Sequence, residues 1–114
     1  MHELSIAMSI VELAEEEIEK NGGTQVHAVH LKLGLLSGVV KDALLSSFGL
    51  ACEGTALAGS RLMIEEVPVI AYCARCDAPR PVSSVEWFVC PECRAPVSQV
   101  LQGRELQVVA LEIQ

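Results

Sequence analysis

Two Cys-x-x-Cys pairs, Cys73/Cys76 and Cys90/Cys93, constrain this chain more than any other feature. Each pair sets two thiols on one turn, and the gap of roughly 13 residues lets the second turn fold back to complete a tetrahedron around one metal ion. Zn(II) is the first choice, in a structural role, because four thiolates leave no coordination position for substrate or water. A sulfur tetrahedron also suits iron, as in a rubredoxin-like electron carrier, and disulfide pairing is a third possibility. The fifth cysteine, Cys52, stands apart, in helical register with Leu44 and Phe48, and reads as a small core residue.

The segment carrying the pairs needs such an ion. From Ala71 to Val100 it is punctuated by Pro79, Pro81, Pro91 and Pro96, and its apolar residues are scattered. It cannot bury enough surface to order itself, whereas structural zinc contributes about 10–16 kcal/mol in small zinc-dependent peptides. Trp87 and Phe88, just before Cys90, are expected to pack the ribbon's small core and cover the site, the other reading being that they face a partner. At 114 residues the chain has room for one modest core and a satellite. The expected division is therefore residues 71–100 as an inserted zinc-binding ribbon, with residues 1–70 and 101–114 forming the domain that carries it.

Periodicity outlines that domain. Leu4, Ala7, Met8, Val11, Ala14 and Ile18 recur on one helical face between Glu3 and Lys20, and Asn21-Gly22-Gly23 ends the helix. Gln25 to Leu33 alternates as a half-buried strand, with Val29, Leu31 and Leu33 on one face and Ala28, His30 and Lys32 on the other. A second helix is predicted over Lys41 to Cys52, and strands over Arg61 to Val67 and Glu105 to Ile113. In the last strand Val109, Leu111 and Ile113 alternate against Leu106, Val108 and Ala110. Two amphipathic helices and three half-apolar strands give an α+β fold, two helices packed on a small three-stranded sheet. The ribbon, an inserted four-cysteine zinc-ribbon subdomain, is expected to hang from two adjacent strand ends.

Charge and hydropathy narrow the function classes. The formal net charge is −7, and four thiolates around a divalent ion add about two more negative charges. Such a surface should repel nucleic acid, which weighs against a nucleic-acid-binding zinc ribbon although the cysteine spacing permits one. No apolar run is long enough to span a bilayer, and Glu3 and Glu12 interrupt a start that lacks Lys or Arg before Lys20, so neither a membrane span nor a secretory signal is expected. The expected location is cytoplasmic. No Cys-His or Ser-His-Asp constellation points to an enzyme.

The opening Met1-His2-Glu3 holds a second set of metal donors. Histidine at position 2 is too large for efficient methionine removal, so the Met1 amine stays directly before His2. That amine, the deprotonated His2 amide and the His2 Nδ1 form fused chelate rings in one plane, with a fourth position for Glu3 or a neighbour. Square-planar nitrogen-rich sites select Ni(II) or Cu(II) over zinc. An ordinary surface histidine at a frayed terminus is the other reading of the same residues. His27 and His30 lie on the first strand without a partner at ligand spacing, and the run Glu15-Glu16-Glu17 with Glu19 reads as a solvated helix face.

Taken in order, Met1-His2-Glu3-Leu4-Ser5, Leu33-Gly34-Leu35-Leu36-Ser37-Gly38-Val39, Glu53-Gly54-Thr55, the two cysteine pairs and Gly103-Arg104-Glu105-Leu106 resemble the HypA family of hydrogenase maturation nickel chaperones, end to end. The resemblance implies a metallochaperone rather than an enzyme. It implies Ni(II) as cargo at His2, helped by Met1 and Glu3, and structural Zn(II) at Cys73, Cys76, Cys90 and Cys93. It implies delivery to the large subunit of nickel–iron hydrogenase with a partner GTPase. The alternative is a zinc-ribbon protein-interaction or nucleic-acid-binding module without a nickel function. Two departures from the family pattern are visible: Asp77 and Arg94 stand where many members have glycine after the second cysteine, and the insert contains no histidine.

Overall fold

The computed structural model describes residues 2–83 and 86–114. Helix α1 spans His2–Asn21 and helix α2 spans Lys41–Cys52. Around them run β1 (Val26–Gly34), β2 (Arg61–Val67) and β6 (Leu106–Ile113), and between β2 and β6 lie three short strands, β3 (Ile70–Cys73), β4 (Ala78–Pro81) and β5 (Gln99–Gln102). The strands form two three-stranded sheets, ordered β2-β1-β6 and β4-β3-β5. The α+β fold with two helices and a small three-stranded sheet is thus as the periodicity predicted. The second sheet is a finding the sequence did not announce.

The chain forms two compact units. One comprises residues 1–32, 39–65 and 107–114; the other comprises residues 33–38 and 66–106, more chain than the cysteine insert itself. In the first unit α1 buries Ala7, Ile10, Val11, Ala14 and Ile18 along one stripe. They meet Leu44, Phe48 and Cys52 of α2 and Val26, Val29 and Leu31 of β1 in one core. Gly22, at φ 70°, ends α1 in the left-handed conformation, and the Gly23 N–H returns to the Ile18 carbonyl at 3.2 Å.

Because β1 is the central strand, β2 and β6 are the edges. The segment between β2 and β6 therefore leaves one edge and returns at the other, not at adjacent strand ends as expected. Spacing along the chain carries no information on strand order. Strand β6 also departs from simple alternation: Val108, Leu111 and Ile113 pack on the core while Val109 is exposed. Inward residues three apart cannot share a face of a regular strand, so the phase shifts between them.

In the second unit, Gly34 makes a close approach that only glycine permits: a Cβ there would collide with the Gly103 carbonyl. The Gly34 N–H donates to the Glu105 carbonyl and the Leu36 N–H to the Gly103 carbonyl, both at 2.7 Å. Strand β4 carries Pro79 and Pro81 because it is an edge, where a missing N–H costs no ladder bond.

Candidate metal centre

The two cysteine pairs converge. Antiparallel pairing of β3 with β4 sets Cys73 opposite Ala78, and Cys76 lies in the turn between them. The second pair sits on a turn closed by a bridge between Val89 and Pro96. There the Cys90 N–H donates to the Ala95 carbonyl at 2.9 Å and the Arg94 N–H to the Cys90 carbonyl at 2.8 Å. The four sulfurs lie within 4.8 Å of one another. Cys73 and Cys93 sulfurs are 3.5 Å apart and those of Cys76 and Cys90 3.8 Å. No pair is within bonding distance for a disulfide, and all the cysteines are free. A tetrahedral ion with metal–sulfur bonds of about 2.3 Å has sulfur–sulfur edges of about 3.8 Å, so the donor set fits.

The backbone supports a sulfur cage. The Cys76 N–H points at the Cys73 sulfur at 3.4 Å. Asp77 and Arg94, one after each second cysteine, have positive φ, 53° and 63°. The departure from glycine is therefore absorbed with the turn geometry intact. Asp77 also accepts a hydrogen bond from the Tyr72 hydroxyl, which raises the tyrosine pKa.

Electrostatics shows what the cage lacks by itself. Burial alone would push the Cys90 thiol up, but the Cys93 and Glu92 N–H groups, with the Cys93 and Cys73 side chains, bring it down to about 6. The Ala95 N–H lowers the Cys93 thiol, yet burial and the other three sulfurs outweigh it and push it up to about 11. Four thiolates this close do not coexist without a cation.

Phe88 packs on this cluster with Val69, Ala71, Val82 and Val97. Trp87 does not, and is 71% exposed. The expectation that both aromatics cover the site thus holds for Phe88 alone. Sequence reasoning missed Arg80, whose pKa is raised by its neighbours Cys76, chiefly, and Cys90. Its place opposite Ala71, one step along the hairpin face from the Cys73–Ala78 pair, is set by strand register, which spacing along the chain does not reveal.

The second set of donors opens α1. Met1 lies outside the described residues. His2 is 62% exposed at its side chain and Glu3 12%. A Glu3 carboxylate oxygen accepts the Val40 N–H at 3.2 Å, and chiefly this bond holds the carboxyl below its ordinary range. Val40 is the N-cap of α2 and makes no side-chain cap. Glu3 thus supplies from another helix the carboxylate half of a capping box, at the positive end of the α2 dipole. The His2 Nδ1 stands 3.6 Å from the same carboxylate, too long for a good hydrogen bond. The other histidines are engaged elsewhere. His30 Nε2 lies 2.7 Å from Glu112, whose pKa it lowers, and His27 Nε2 lies 2.6 Å from the Gln114 side chain.

Among known proteins, a family model described as "Hydrogenase/urease nickel incorporation, metallochaperone, hypA" matches residues 1–113. The chain belongs to the HypA family. A HypA hydrogenase maturation factor of Roseiflexus is 52% identical over 112 residues, covering 98% of this chain and 91% of that one. One from Chloroflexus aurantiacus is 50% identical over 112 residues and 98% of both chains. The solution structure of the nickel metallochaperone HypA from Helicobacter pylori superposes with a TM-score of 0.66 at 26% identity, over 97% of this chain and 96% of that one. A further HypA solution structure gives 0.72 at 27% identity, over 100% and 97%. As a HypA protein, the chain is a nickel-incorporation metallochaperone of hydrogenase or urease maturation, and not an enzyme. Its four-cysteine cluster is placed to hold a metal ion and is consistent with a zinc ribbon. No helix among the described residues is long and apolar enough to cross a membrane.

Proposed function

We propose that this protein carries Ni(II) at Met1-His2-Glu3, holds Zn(II) structurally at Cys73, Cys76, Cys90 and Cys93, and passes nickel in the cytoplasm to the large subunit of nickel–iron hydrogenase with a partner GTPase. On this reading residues 1–70 and 101–114 are the nickel-binding domain, and residues 71–100 the zinc-binding domain.

The observation that carries the nickel half is the arrangement around His2. Helix α1 begins there, so the His2 amide N–H has no intrahelical acceptor and is available for deprotonation and coordination. Its imidazole is exposed and the next residue is pinned to Val40. Glu3 then acts through its main chain or by position, because its carboxylate already serves α2. An exposed planar site can lose ligands one at a time without disturbing the core, which suits a carrier that must release its cargo. For the zinc half the support is the sulfur tetrahedron, which four cysteines close without an open position.

The test is nickel titration with metal analysis on tag-free protein beginning at Met1, comparing wild type with His2→Ala. The expected result is loss of about one nickel per chain in the variant with about one zinc retained in both. Nickel binding that survives His2→Ala would overturn the terminal site. Transfer is tested by loading metal-free large subunit from the nickel-bound protein with and without the GTPase; delivery that ignores the His2 substitution would overturn that step.

A further inference from the structure

A cage of four thiolates around a divalent ion carries two net negative charges, and in this unit it sits in a chain segment that is already slightly acidic. Residues 33–38 and 66–106 contain four arginines, Arg75, Arg80, Arg94 and Arg104, against five carboxylates, and no lysine or histidine. Arg75, Arg94 and Arg104 are exposed. Arg80 differs. It is partly buried on β4, between Pro79 and Pro81 and opposite Ala71. Residues 78 and 80 share one face of that strand, so Arg80 projects from the side of the hairpin on which Ala78 faces Cys73.

Two observations meet at this side chain. The Arg80 Nε is buried without a hydrogen-bond partner, although an arginine N–H deprived of both water and an acceptor is costly. The same guanidinium lies near enough to Cys76 and Cys90, one from each pair, that these cysteines, Cys76 first, raise its pKa. Arginine stays protonated at all ordinary pH values and offers five N–H groups in a rigid fork, so it can serve two acceptors from one position. Thiolates pulled onto a cation become stronger acceptors than thiols, and a buried donor beside them gains the partner it lacks.

We propose that Arg80 is a positioning residue for the four-cysteine metal site, donating N–H···S hydrogen bonds that span the two cysteine pairs and offset the charge of the metal–tetrathiolate cage. This rests on the reading of the four cysteines as a metal site. Outer donors of this kind govern how tightly sulfur holds a metal, and their loss typically changes metal affinity by about 10–100-fold.

The experiment uses the full chain with Arg80→Gln, Arg80→Lys and, as a charge control, Arg75→Gln. Zinc transfer to a chromophoric chelator is timed, and each protein is then loaded with Co(II) to read the sulfur-to-cobalt charge-transfer band. Arg80→Gln is expected to release zinc about tenfold faster and to shift the band to lower energy, because sulfur lone pairs without N–H donors lie higher. Arg80→Lys should fall between, and Arg75→Gln should match wild type. A band unmoved in Arg80→Gln overturns the inference whatever the release rate, since a merely structural arginine alters stability without altering the sulfurs. Should the glutamine variant not fold, the lysine variant decides, because it keeps the charge but not the fork, and an unshifted band overturns the proposal. Absence of Co(II) uptake by the wild type would overturn the metal-site reading itself and the arginine's role with it.

Discussion

The unit built on α1 and α2 and the unit built on the cysteines distribute their residues in opposite ways. The helical unit holds all three histidines, Cys52 and ten carboxylates against four basic side chains; the cysteine unit holds the other four cysteines and the only tryptophan and tyrosine. The first orders itself by apolar contact: thirteen buried residues from α1, α2, β1, β2 and the α2–β2 connection form one cluster. The described part of the second gathers six, and two of these are cysteines of the four-sulfur cluster, Cys73 and Cys90. The lesson is that apolar area suffices to order the first unit, whereas on the proposed reading the second needs a force that arrives with an ion.

The sharpest way to break this comparison is to remove the metal. Structural zinc contributes about 10–16 kcal/mol in small peptides, as much as or more than the whole stability of an ordinary domain. A strong chelator should therefore unfold the cysteine unit and leave the helices. The molecule reports each event separately, because Trp87 and Tyr72 lie in one unit and both helices in the other. The expected outcome is loss of the native fluorescence with helical circular dichroism retained. Simultaneous loss of both signals would mean that the units fold as one. Thiol counting adds a check: the four cage cysteines should become reactive on chelation while Cys52 stays silent. Burial pushes the Cys52 thiol up to about 11. At pH 8 roughly one molecule in a thousand then carries the thiolate there.

A smaller effect probes the other side. Leu44 is fully buried and Phe48 nearly so between the helices and the sheet. Leu44→Ala should cost about 2–5 kcal/mol, read as a lower denaturant midpoint for the helical signal, with zinc content unchanged. Zinc loss in this variant would show that the metal site depends on the apolar core.

How much of this was legible beforehand follows the same division. Apolar patterning is a local signal, and it located α1, α2, β1 and β2 within a residue or so of their ends. The cysteines announced their site by spacing alone. What escaped were features set by register and tertiary contact. Strands β3 to β5 are four residues each, too short for periodicity, and β4 carries two prolines that argue against a strand unless it is known to be an edge. Glu3 meeting Val40 is a contact across 37 residues, which no local pattern encodes. The phase shift in β6 defeated a period of two because Val108, Val109 and Ala110 are all small and apolar, and composition does not say which of them turns inward.

The smallest expected effect compares the two cysteine turns with each other. Both end on a non-glycine residue at positive φ, a conformation that costs an L-residue about 1–2 kcal/mol. Asp77 has compensation: aspartate tolerates the left-handed region better than most residues, and its carboxylate accepts the Tyr72 hydroxyl. Arg94 is exposed, and its long aliphatic stem gains nothing from the conformation. Arg94→Gly should therefore stabilise the zinc-loaded protein, by about 0.5–1 kcal/mol once the greater freedom of glycine in the unfolded chain is set against the relieved strain. Asp77→Gly should give no gain, because the Tyr72 bond is lost as the strain is relieved. The denaturant midpoint followed by the unit's own fluorescence measures both. Equal stabilisation by the two substitutions would show that the Tyr72–Asp77 bond contributes nothing to the first turn. Arg94→Gly without any gain would instead place the cost of positive φ below what the metal-closed turn can absorb.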